Sequence, residues 1–312
     1  MSKHPRGGLV VTALIASCAA IAVPAAAAPH ECFGKKATIV GTERADELRG
    51  TERADVIVAL GGGDTIRARR GNDRVCAGRG EDVIHGGSGW DSLATGPGAQ
   101  VQYPNGDRAH GGEGRDRLFG SAYLDRLRGG PGMDTLRGLG ARANECDCEG
   151  KVEQLFGGAG NDVIKGGVID GFYTGKNLFR GGPGDDTIVG NGGALSDNDD
   201  GTYDTIEFVS GPVVVDLGAG SATGEGTDTL SGIETVYGSP GGDTITGDDT
   251  ANILRGDLGD DTLVGRAGDD DLDGGQGVNA NDGGDGTDNC VNPEIDPEDP
   301  SAGALNCESS EH

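Results

Sequence analysis

The chain of 312 residues has few of the side chains from which a thick globular core is built. Aromatic residues make up only 4% of it, with a single tryptophan. Lysine and arginine are also scarce, with 25 of them against 52 Asp and Glu, which gives a net charge of −27. This acidity argues against nucleic acid as a partner, since phosphates require a basic surface. Long apolar helices of the kind that a pore-forming toxin needs are missing as well.

The common hydrolase motifs are missing too. His30-Glu31 begins a zinc-protease pattern, but Gly34 stands where the second histidine belongs. Around Ser88 the Gly-x-Ser-x-Gly pattern fails, because its last position is Trp90. The sequence therefore predicts that the chain is not an enzyme. The alternative that stays open is an enzyme that acts on extracellular polysaccharide across the face of a β-helix.

Aspartate, by contrast, recurs every nine residues, and an aliphatic side chain follows it two positions later. Asp46 is followed by Leu48, for example, and Asp55 by Ile57. Glycine precedes the aspartates, in its fullest form as Gly-Gly-x-Gly-x-Asp. Full copies occupy residues 86–91, 111–116, 129–134, 157–162, 181–186 and 283–288. A nonapeptide repeat of this kind is typical of a calcium-binding parallel β-roll.

Each residue type of the repeat has a physical role in such a roll. Glycine allows a positive φ and lets carbonyl oxygens approach an ion. Aspartate adds a hard anionic oxygen, which suits Ca²⁺ with its roughly six to eight oxygen ligands. The aliphatic side chain points into the core, because side chains alternate along a strand. One nonapeptide is then half a coil, and stacked coils bury the apolar stripe that no single repeat can bury.

The sequence thus predicts an all-β solenoid of nonapeptide repeats that binds several Ca²⁺ ions. Ions are expected between loops on neighbouring coils, for example those of Asp243 and Asp261. The predicted metal ligands are Asp64, Asp73, Asp82, Asp91, Asp107, Asp116, Asp134, Asp162, Asp186, Asp243, Asp261, Asp270 and Asp288, with Gly86, Gly89, Gly111, Gly114, Gly129, Gly132, Gly157, Gly160, Gly181 and Gly184 in their loops.

These motifs resemble the repeats-in-toxin (haemolysin-type) calcium-binding repeat family over most of residues 37–290. The resemblance implies a right-handed parallel β-roll or β-helix with rows of calcium along its edges. Some loops depart from the pattern, and calcium binding there stays open. Asp46, Asp55 and Asp125 follow Gly-Thr or Gly-Ser, while Asn252 and Asn279 replace a charged ligand with a neutral one.

The spacing of the repeats divides the chain into five parts. In order they are a signal peptide (1–28), a first calcium-binding block with loop insertions (29–194), wider β-helical coils (195–242), a second calcium-binding block (243–290) and an acidic tail (291–312).

The predicted signal peptide places Lys3 and Arg6 before an apolar stretch and small residues at its cleavage region. A rival interpretation is a lipoprotein box that ends at Cys18, which would then carry the lipid. Removal of the leader leaves six cysteines, and an even number in an exported chain indicates disulfides.

Among the fifteen or so possible pairings, the sequence favours two that close the ends of the roll. Cys32 would cap the first coil by pairing with Cys76, which follows Val75 on an early coil. Cys290 would hold the tail through Cys307. The pairing of Cys146 and Cys148 stays open, with a metal site as a weaker alternative.

Without its leader the chain carries 23 basic against 52 acidic residues. Carboxylates stacked at short spacing repel one another, and a divalent cation removes that penalty, so folding should depend on calcium. The sequence predicts a secreted protein without a transmembrane segment in its mature form. Its expected role is structural or adhesive at or beyond the cell surface, with a cell-surface or extracellular polysaccharide as a candidate partner.

Overall fold

The structure is a computed structural model that describes residues 30–96, 106–121, 123–139, 152–167, 176–191, 203–291 and Cys307. Several sequence predictions therefore lie outside the described residues. They are the signal peptide, the lipidation alternative at Cys18, the pairing of Cys146 and Cys148, and the acidic tail apart from Val291 and Cys307.

The described residues form short β-strands and no helix. In chain order the strands are β1 (Glu31–Cys32), β2 (Lys35–Lys36), β3 (Ile39–Val40), β4 (Glu47–Arg49), β5 (Val56–Gly61), β6 (Thr65–Arg70), β7 (Arg74–Arg79), β8 (Val83–Ser88), β9 (Ser92–Ala94), β10 (Arg108–Glu113), β11 (Arg117–Phe119), β12 (Arg126–Pro131), β13 (Thr135–Arg137) and β14 (Glu153–Ala159). They continue with β15 (Val163–Lys165), β16 (Asn177–Arg180), β17 (Thr187–Val189), β18 (Thr205–Glu207), β19 (Val214–Asp216), β20 (Ser221–Thr223), β21 (Thr227–Ser231), β22 (Thr235–Tyr237), β23 (Thr244–Thr246), β24 (Ile253–Arg255), β25 (Thr262–Ala267), β26 (Asp271–Asp273), β27 (Ala280–Asp285) and β28 (Asn289–Val291).

Two long sheets take up every strand except β1 and β2. One sheet has twelve strands in the order β4-β6-β8-β10-β12-β14-β16-β18-β22-β24-β26-β28. The other has fourteen, in the order β3-β5-β7-β9-β11-β13-β15-β17-β21-β20-β19-β23-β25-β27. The chain passes from one sheet to the other at each nonapeptide, and neighbouring strands are parallel except at β19-β20 and β20-β21. The predicted parallel β-roll is confirmed.

The core is a narrow aliphatic stack between the two sheets. The aspartates of successive repeats, with Glu or Asn in place of Asp at a few coils, form two columns that we call the ladders. The side chain two positions after each ladder residue faces inward, and burial of one such side chain stabilises the fold by about 1.5–3 kcal/mol. The members that are at most 1% exposed are Ile57, Ile66, Val75, Ile84, Leu93, Leu118, Leu127, Leu136, Leu155, Ile164, Phe179, Ile188, Ile206, Val236, Ile245, Leu254, Leu263 and Leu272. Leu48, on the first coil, is only partly buried, because no coil covers its outer side.

The interruptions of the nine-residue spacing leave the register of the sheets intact. Most neighbouring strands pair residues eighteen apart, such as Ile39 with Ile57. Where the chain has extra residues, Ile84 still pairs with Ala109 and Leu127 with Leu155. The additional residues are therefore accommodated between strands, and the apolar stack runs through without a break.

One region differs from the prediction of wider coils between residues 195 and 242. There β19, β20 and β21 form an antiparallel three-stranded meander within the fourteen-stranded sheet. Its outer strands pair in parallel with β23 and β17 respectively, so the meander continues the roll on both sides. The turns after Asp216 and Thr223 reverse the chain within one sheet, where a coil would have crossed to the other.

Both ends of the roll are closed by the disulfides that the sequence favours. Cys32 lies in the β1-β2 hairpin over the first coils and is bonded to Cys76 of β7. Cys290 occupies a core position of β28 and is bonded to Cys307. Each bond joins a segment outside the two sheets to an end of the apolar stack, or to a strand near it.

Candidate metal sites

The ladder aspartates lie above one another along the two edges of the roll, linked by hydrogen bonds from coil to coil. The backbone N–H of most of these aspartates donates to a side-chain oxygen of the corresponding residue on the next coil, usually Oδ1 of an aspartate. Asp116 N–H donates to Asp134 Oδ1 at 2.8 Å, and Asp134 N–H donates to Asp162 Oδ1 at 2.7 Å. We call each residue of a ladder a rung. One side-chain oxygen of a rung thus holds the preceding coil in place.

The second oxygen, Oδ2, is buried and receives no hydrogen bond from the described residues at most of these rungs. A buried polar atom in this state costs free energy unless a partner is supplied. The aspartates concerned are Asp64, Asp73, Asp82, Asp91, Asp107, Asp116, Asp134, Asp162, Asp186, Asp261 and Asp270. Their Oδ2 atoms form two rows of carboxylate oxygens along the edges of the roll.

Glycine at the first loop position keeps a side chain away from these Oδ2 atoms. A Cβ on Gly129 would stand against Asp134 Oδ2 and the carbonyl oxygen of Gly157, the latter 2.5 Å away. Two oxygens of different coils therefore converge on the space that a side chain would fill. Carboxylate and carbonyl oxygens are the ligands that Ca²⁺ prefers, so the residues present fit this ion.

Glycine at the fourth loop position is required by the backbone. Gly132 has φ of 145°, and a Cβ there would collide with the carbonyl group of Gly114 on the preceding coil. A positive φ recurs at the fourth position of the other full repeats, namely Gly89, Gly114, Gly160, Gly184 and Gly286. The first-position glycines, which are Gly86, Gly111, Gly129, Gly157 and Gly181, all face the Oδ2 of their own aspartate.

Burial and mutual repulsion raise the pKa values of these carboxyl groups. The pKa of Asp134 is raised to about 7 by burial, with the charge of Asp116 adding to the effect and the Asp116 N–H bond opposing it. Burial likewise raises the pKa of Asp162 and Asp270 to about 7 and that of Asp107 to about 8. A cation beside these oxygens would stabilise their ionised form.

Backbone carbonyl oxygens must complete the coordination shell of any metal ion bound at the ladders. The described residues contain no group of three or more His, Cys, Asp and Glu side chains suited to a metal. Hard oxygens from carboxylates and carbonyls favour calcium over zinc, which prefers nitrogen and sulfur. Bound calcium would supply positive charge that holds adjacent coils together.

Two of the predicted ligands need separate description. Asp243 accepts the Val213 N–H of the preceding coil on Oδ1 at 2.8 Å and the Ser239 N–H of its own loop on Oδ2 at 2.6 Å, so both oxygens have a donor. Asp288 is buried in its ladder and accepts the Asp270 N–H at 2.9 Å. Asp243 therefore differs from the eleven aspartates with a buried Oδ2 that lacks a hydrogen bond.

The ladders include residues that are not among the predicted ligands. Glu153, Asn177, Asp204, Asp228 and Glu234 are all buried at rung positions. Asp186 N–H donates to Asp228 Oδ1 at 2.9 Å, and Asp204 N–H donates to Glu234 Oε2 at 2.9 Å. All five precede a core residue by two positions, and Glu153, Asn177 and Glu234 also lie nine residues before Asp162, Asp186 and Asp243, so these two signals could have found them.

Comparison with protein families agrees with this geometry. The family model of the RTX calcium-binding nonapeptide repeat matches more than half of the chain, at residues 40–75, 72–99, 110–141, 151–168, 173–194, 228–263, 246–280 and 255–290. The chain belongs to this RTX repeat family. No curated protein matches it.

Membership of the RTX family makes the chain a calcium-binding repeat protein, as the sequence predicts. The matches stop short of the first and last residues and leave gaps at the interruptions of the ladder. Among the residues that the structure describes, none belongs to a helix long and apolar enough to cross a membrane.

Proposed function

We propose that this RTX protein is secreted and that Ca²⁺ orders its solenoid, which then serves a structural or adhesive role at or beyond the cell surface. The observation that carries the proposal is the double row of buried Oδ2 atoms without a hydrogen bond. Eleven such carboxylates lie in a roll whose core is only one side chain deep. Binding of calcium only in the folded state would stabilise that state by mass action.

The alternative of a polysaccharide-active enzyme finds less support. Such an enzyme needs a pair of carboxylates that lie outside the ladders and flank a substrate groove. Asp204 and Asp228, which break the nine-residue spacing, are nevertheless rungs of the two ladders. These two carboxylates are thus part of the scaffold, and we propose that the chain is not catalytic.

The calcium part of the proposal is tested by counting ions. Asp261→Asn keeps an oxygen that can accept the Asp243 N–H but removes the charge of the buried carboxylate. We expect this variant to bind at least one calcium ion fewer than the wild type in calorimetric titration and native mass spectrometry. Asp249→Asn is the matched control, because Asp249 is exposed and lies outside the ladders. Equal counts in both variants would contradict the assignment of the ladder.

An outer face of the twelve-stranded sheet supports the adhesive role. One column of side chains crosses successive coils in the order Arg67, His85, His110, Arg128, Phe156 and Arg180. The guanidinium carbons of Arg128 and Arg180 lie 5.7 and 5.0 Å from the centroid of the Phe156 ring. Arg67 and Arg180 are paired with Glu47 and Glu207, so among the described residues Arg128 supplies the unpaired positive charge of this column and Phe156 its aromatic ring.

A second column beside it adds two more guanidinium groups. Arg108 and Arg126 are exposed neighbours in register, and with Arg128 they form no ion pair with any carboxylate that the structure describes. Unpaired arginines in rows suit an anionic polymer, because each guanidinium can donate two parallel hydrogen bonds to a carboxylate or sulfate. We therefore propose an acidic polysaccharide as the partner of this face.

Binding to immobilised acidic and neutral polysaccharides tests the partner. Replacement of Arg108, Arg126 and Arg128 by serine should abolish retention on the acidic polymer at moderate salt and leave the calcium count unchanged. The matched control replaces Arg74, Arg117 and Arg137, which lie on the outer face of the other sheet. Equal losses in the two triple variants would mean that net charge, and not this face, decides binding.

A further inference from the structure

The loops of the roll exist in two forms, which differ at the residue four positions before the ladder aspartate. In the first form this residue has a positive φ. Leu60 (φ 80°), Arg69 (φ 83°) and Arg266 (φ 84°) take this conformation although they are not glycines. The full set of these residues is Leu60, Arg69, Gly78, Gly87, Gly112, Gly130, Gly158, Gly182, Gly224, Asp257, Arg266, Gly275 and Gly284.

In ten of these loops the aspartate has a buried Oδ2 that receives no hydrogen bond from the described residues. Asp64 follows Leu60 in this way, Asp134 follows Gly130, and Asp270 follows Arg266. The positive φ persists at Leu60, Arg69 and Arg266, whose side chains disfavour it. The backbone form, and not glycine alone, thus accompanies the buried oxygen.

The second form has the opposite peptide orientation. Thr42, Thr51, Ser121, Ser239 and Asp248 stand four before a rung, and their φ angles are not positive. Their N–H groups donate to the rung side chains of Asp46, Asp55, Asp125, Asp243 and Asn252, at 2.6 Å for Asp46, Asp55 and Asp243 and at 2.8 Å for Asn252.

The hydroxyl group of the same residue closes most of these loops. Thr42 Oγ1 accepts the N–H of Arg44 at 3.2 Å and donates to Asp46 Oδ2 at 2.9 Å. Thr51 repeats both contacts with Arg53 and Asp55. The carboxylate therefore has two donors from its own loop, and the positive ends of N–H and O–H dipoles occupy the place of a cation.

Asn279 shows that a loop of the first form turns a backbone carbonyl oxygen toward its rung. Its Nδ2 donates to the carbonyl oxygen of Gly275, four residues earlier, at 3.0 Å. Gly275 has a positive φ of 75°. In the first form the carbonyl at this position thus faces the rung, whereas in the second form an N–H does. A cation is attracted by the carbonyl and repelled by the N–H.

We propose that the backbone conformation of the residue four before each rung decides whether a loop takes calcium. Loops with the positive φ bind the ion, and the loops of Asp46, Asp55, Asp125, Asp243 and Asn252 stack without it. The inference rests on the proposed function, since it assigns the calcium of that proposal to particular loops. It also answers the question that the sequence leaves open for the Gly-Thr and Gly-Ser loops.

The loop of Asp243 offers a test by a single substitution. Its sequence from Gly238 to Asp243 is Gly-Ser-Pro-Gly-Gly-Asp, and that from Gly129 to Asp134 is Gly-Gly-Pro-Gly-Met-Asp. Ser239→Gly gives the first loop the glycines of the second. We expect this variant to bind one calcium ion more than the wild type in native mass spectrometry.

Ser239→Ala is the matched control. Alanine removes the hydroxyl group but disfavours a positive φ, so the N–H of residue 239 stays on the Asp243 carboxylate. The calcium count should remain that of the wild type. A gain in the alanine variant equal to that in the glycine variant would overturn the proposal, because the hydroxyl alone would then decide.

The reverse change is Gly130→Ser, for which we expect the loss of at least one ion and retention of the β signal in circular dichroism. The three variants separate this inference from the proposed function. A folded wild type that binds no calcium would overturn the proposed function itself. Wild-type binding with an unchanged count in Ser239→Gly would overturn only the assignment by backbone conformation.

Discussion

Residues 30–191 and 203–291 form the same coils but carry very different charge. The first region has 21 Lys and Arg against 24 Asp and Glu, and the second has 2 against 19. Both arginines of the second region are already paired, Arg255 with Asp271 and Arg266 with Asp216. The aspartate ladders there have few positive charges nearby to offset them. The coil thus depends on the loops and the apolar stack, while the outward positions are free to set the balance of charge.

The largest expected difference between the regions is their response to calcium removal. On titration with a chelator, amides of residues 203–291 should lose hydrogen-exchange protection at a higher free calcium concentration than those of residues 30–79. The reason is that repulsion among carboxylates is offset by arginines in the first region and lacks this offset in the second. Hydrogen exchange with mass spectrometry, peptide by peptide, measures both midpoints.

A variant without the Cys32–Cys76 bond provides the control for that experiment. Such a bond typically stabilises by about 2–4 kcal/mol, and the second region has its own bond at Cys290. The order of the two midpoints should survive when both cysteines are replaced by serine. A single midpoint for both regions in the wild type would show that charge does not distinguish them.

The apolar stack should behave alike in the two regions. Leu127→Ala and Leu263→Ala each remove a side chain that is 0% exposed at an equivalent position. Each should lower the free energy of unfolding in saturating calcium by about 2–5 kcal/mol, through lost burial and the cavity left behind. Urea unfolding followed by circular dichroism gives both values. A loss of stability in only one of the two variants would contradict the view that the apolar stack contributes equally in both regions.

A smaller effect is expected from acid in the presence of a chelator. Burial raises the pKa of Asp186 and Asp270 to about 7, above the ordinary value of 3.8. Between these two pKa values the folded state binds more protons than the unfolded state. The stability of the metal-free protein should therefore increase as the pH falls from about 7 toward 4. The stability gained is lost again as the pH rises through about 7.

The same titration sharpens the comparison of the two regions. Protonation removes the repulsion that calcium would otherwise offset, so the difference in protection between them should narrow at pH 5 or so. Hydrogen exchange corrected for its intrinsic pH dependence is the measurement. Metal-free protection that falls on acidification would contradict the raised pKa values.

Much of the fold could be predicted because one local rule is repeated. An aspartate with an aliphatic residue two positions later places a strand, its inward side chain and a loop, and eighteen residues close a coil. Ile66 and Leu263 lie in the core as this rule predicts. The rule also predicted the disulfide partners Cys76 and Cys290, since it placed them on particular strands.

What could not be predicted depends on contacts beyond one repeat. The meander of β19 to β21 reverses the chain within a sheet, and the nine-residue spacing carries no information about that choice. The rungs at Asp204 and Asp228 are separated from their neighbours by unequal stretches of chain. The two loop forms were missed because they differ in the direction of one peptide group, although Thr42 and Ser239 signal the difference by their hydroxyl groups.

The pairing of residues eighteen apart has a consequence for how such a protein can change in length. An inserted segment of eighteen residues would add one strand to each sheet and leave every later strand where it was. An inserted nonapeptide would keep the core and the rungs but move all later strands to the opposite sheet. The column from Arg67 to Arg180 would then be divided between two faces. Lengthening by whole coils preserves the pattern of the surface, whereas lengthening by half coils rearranges it without cost to the core.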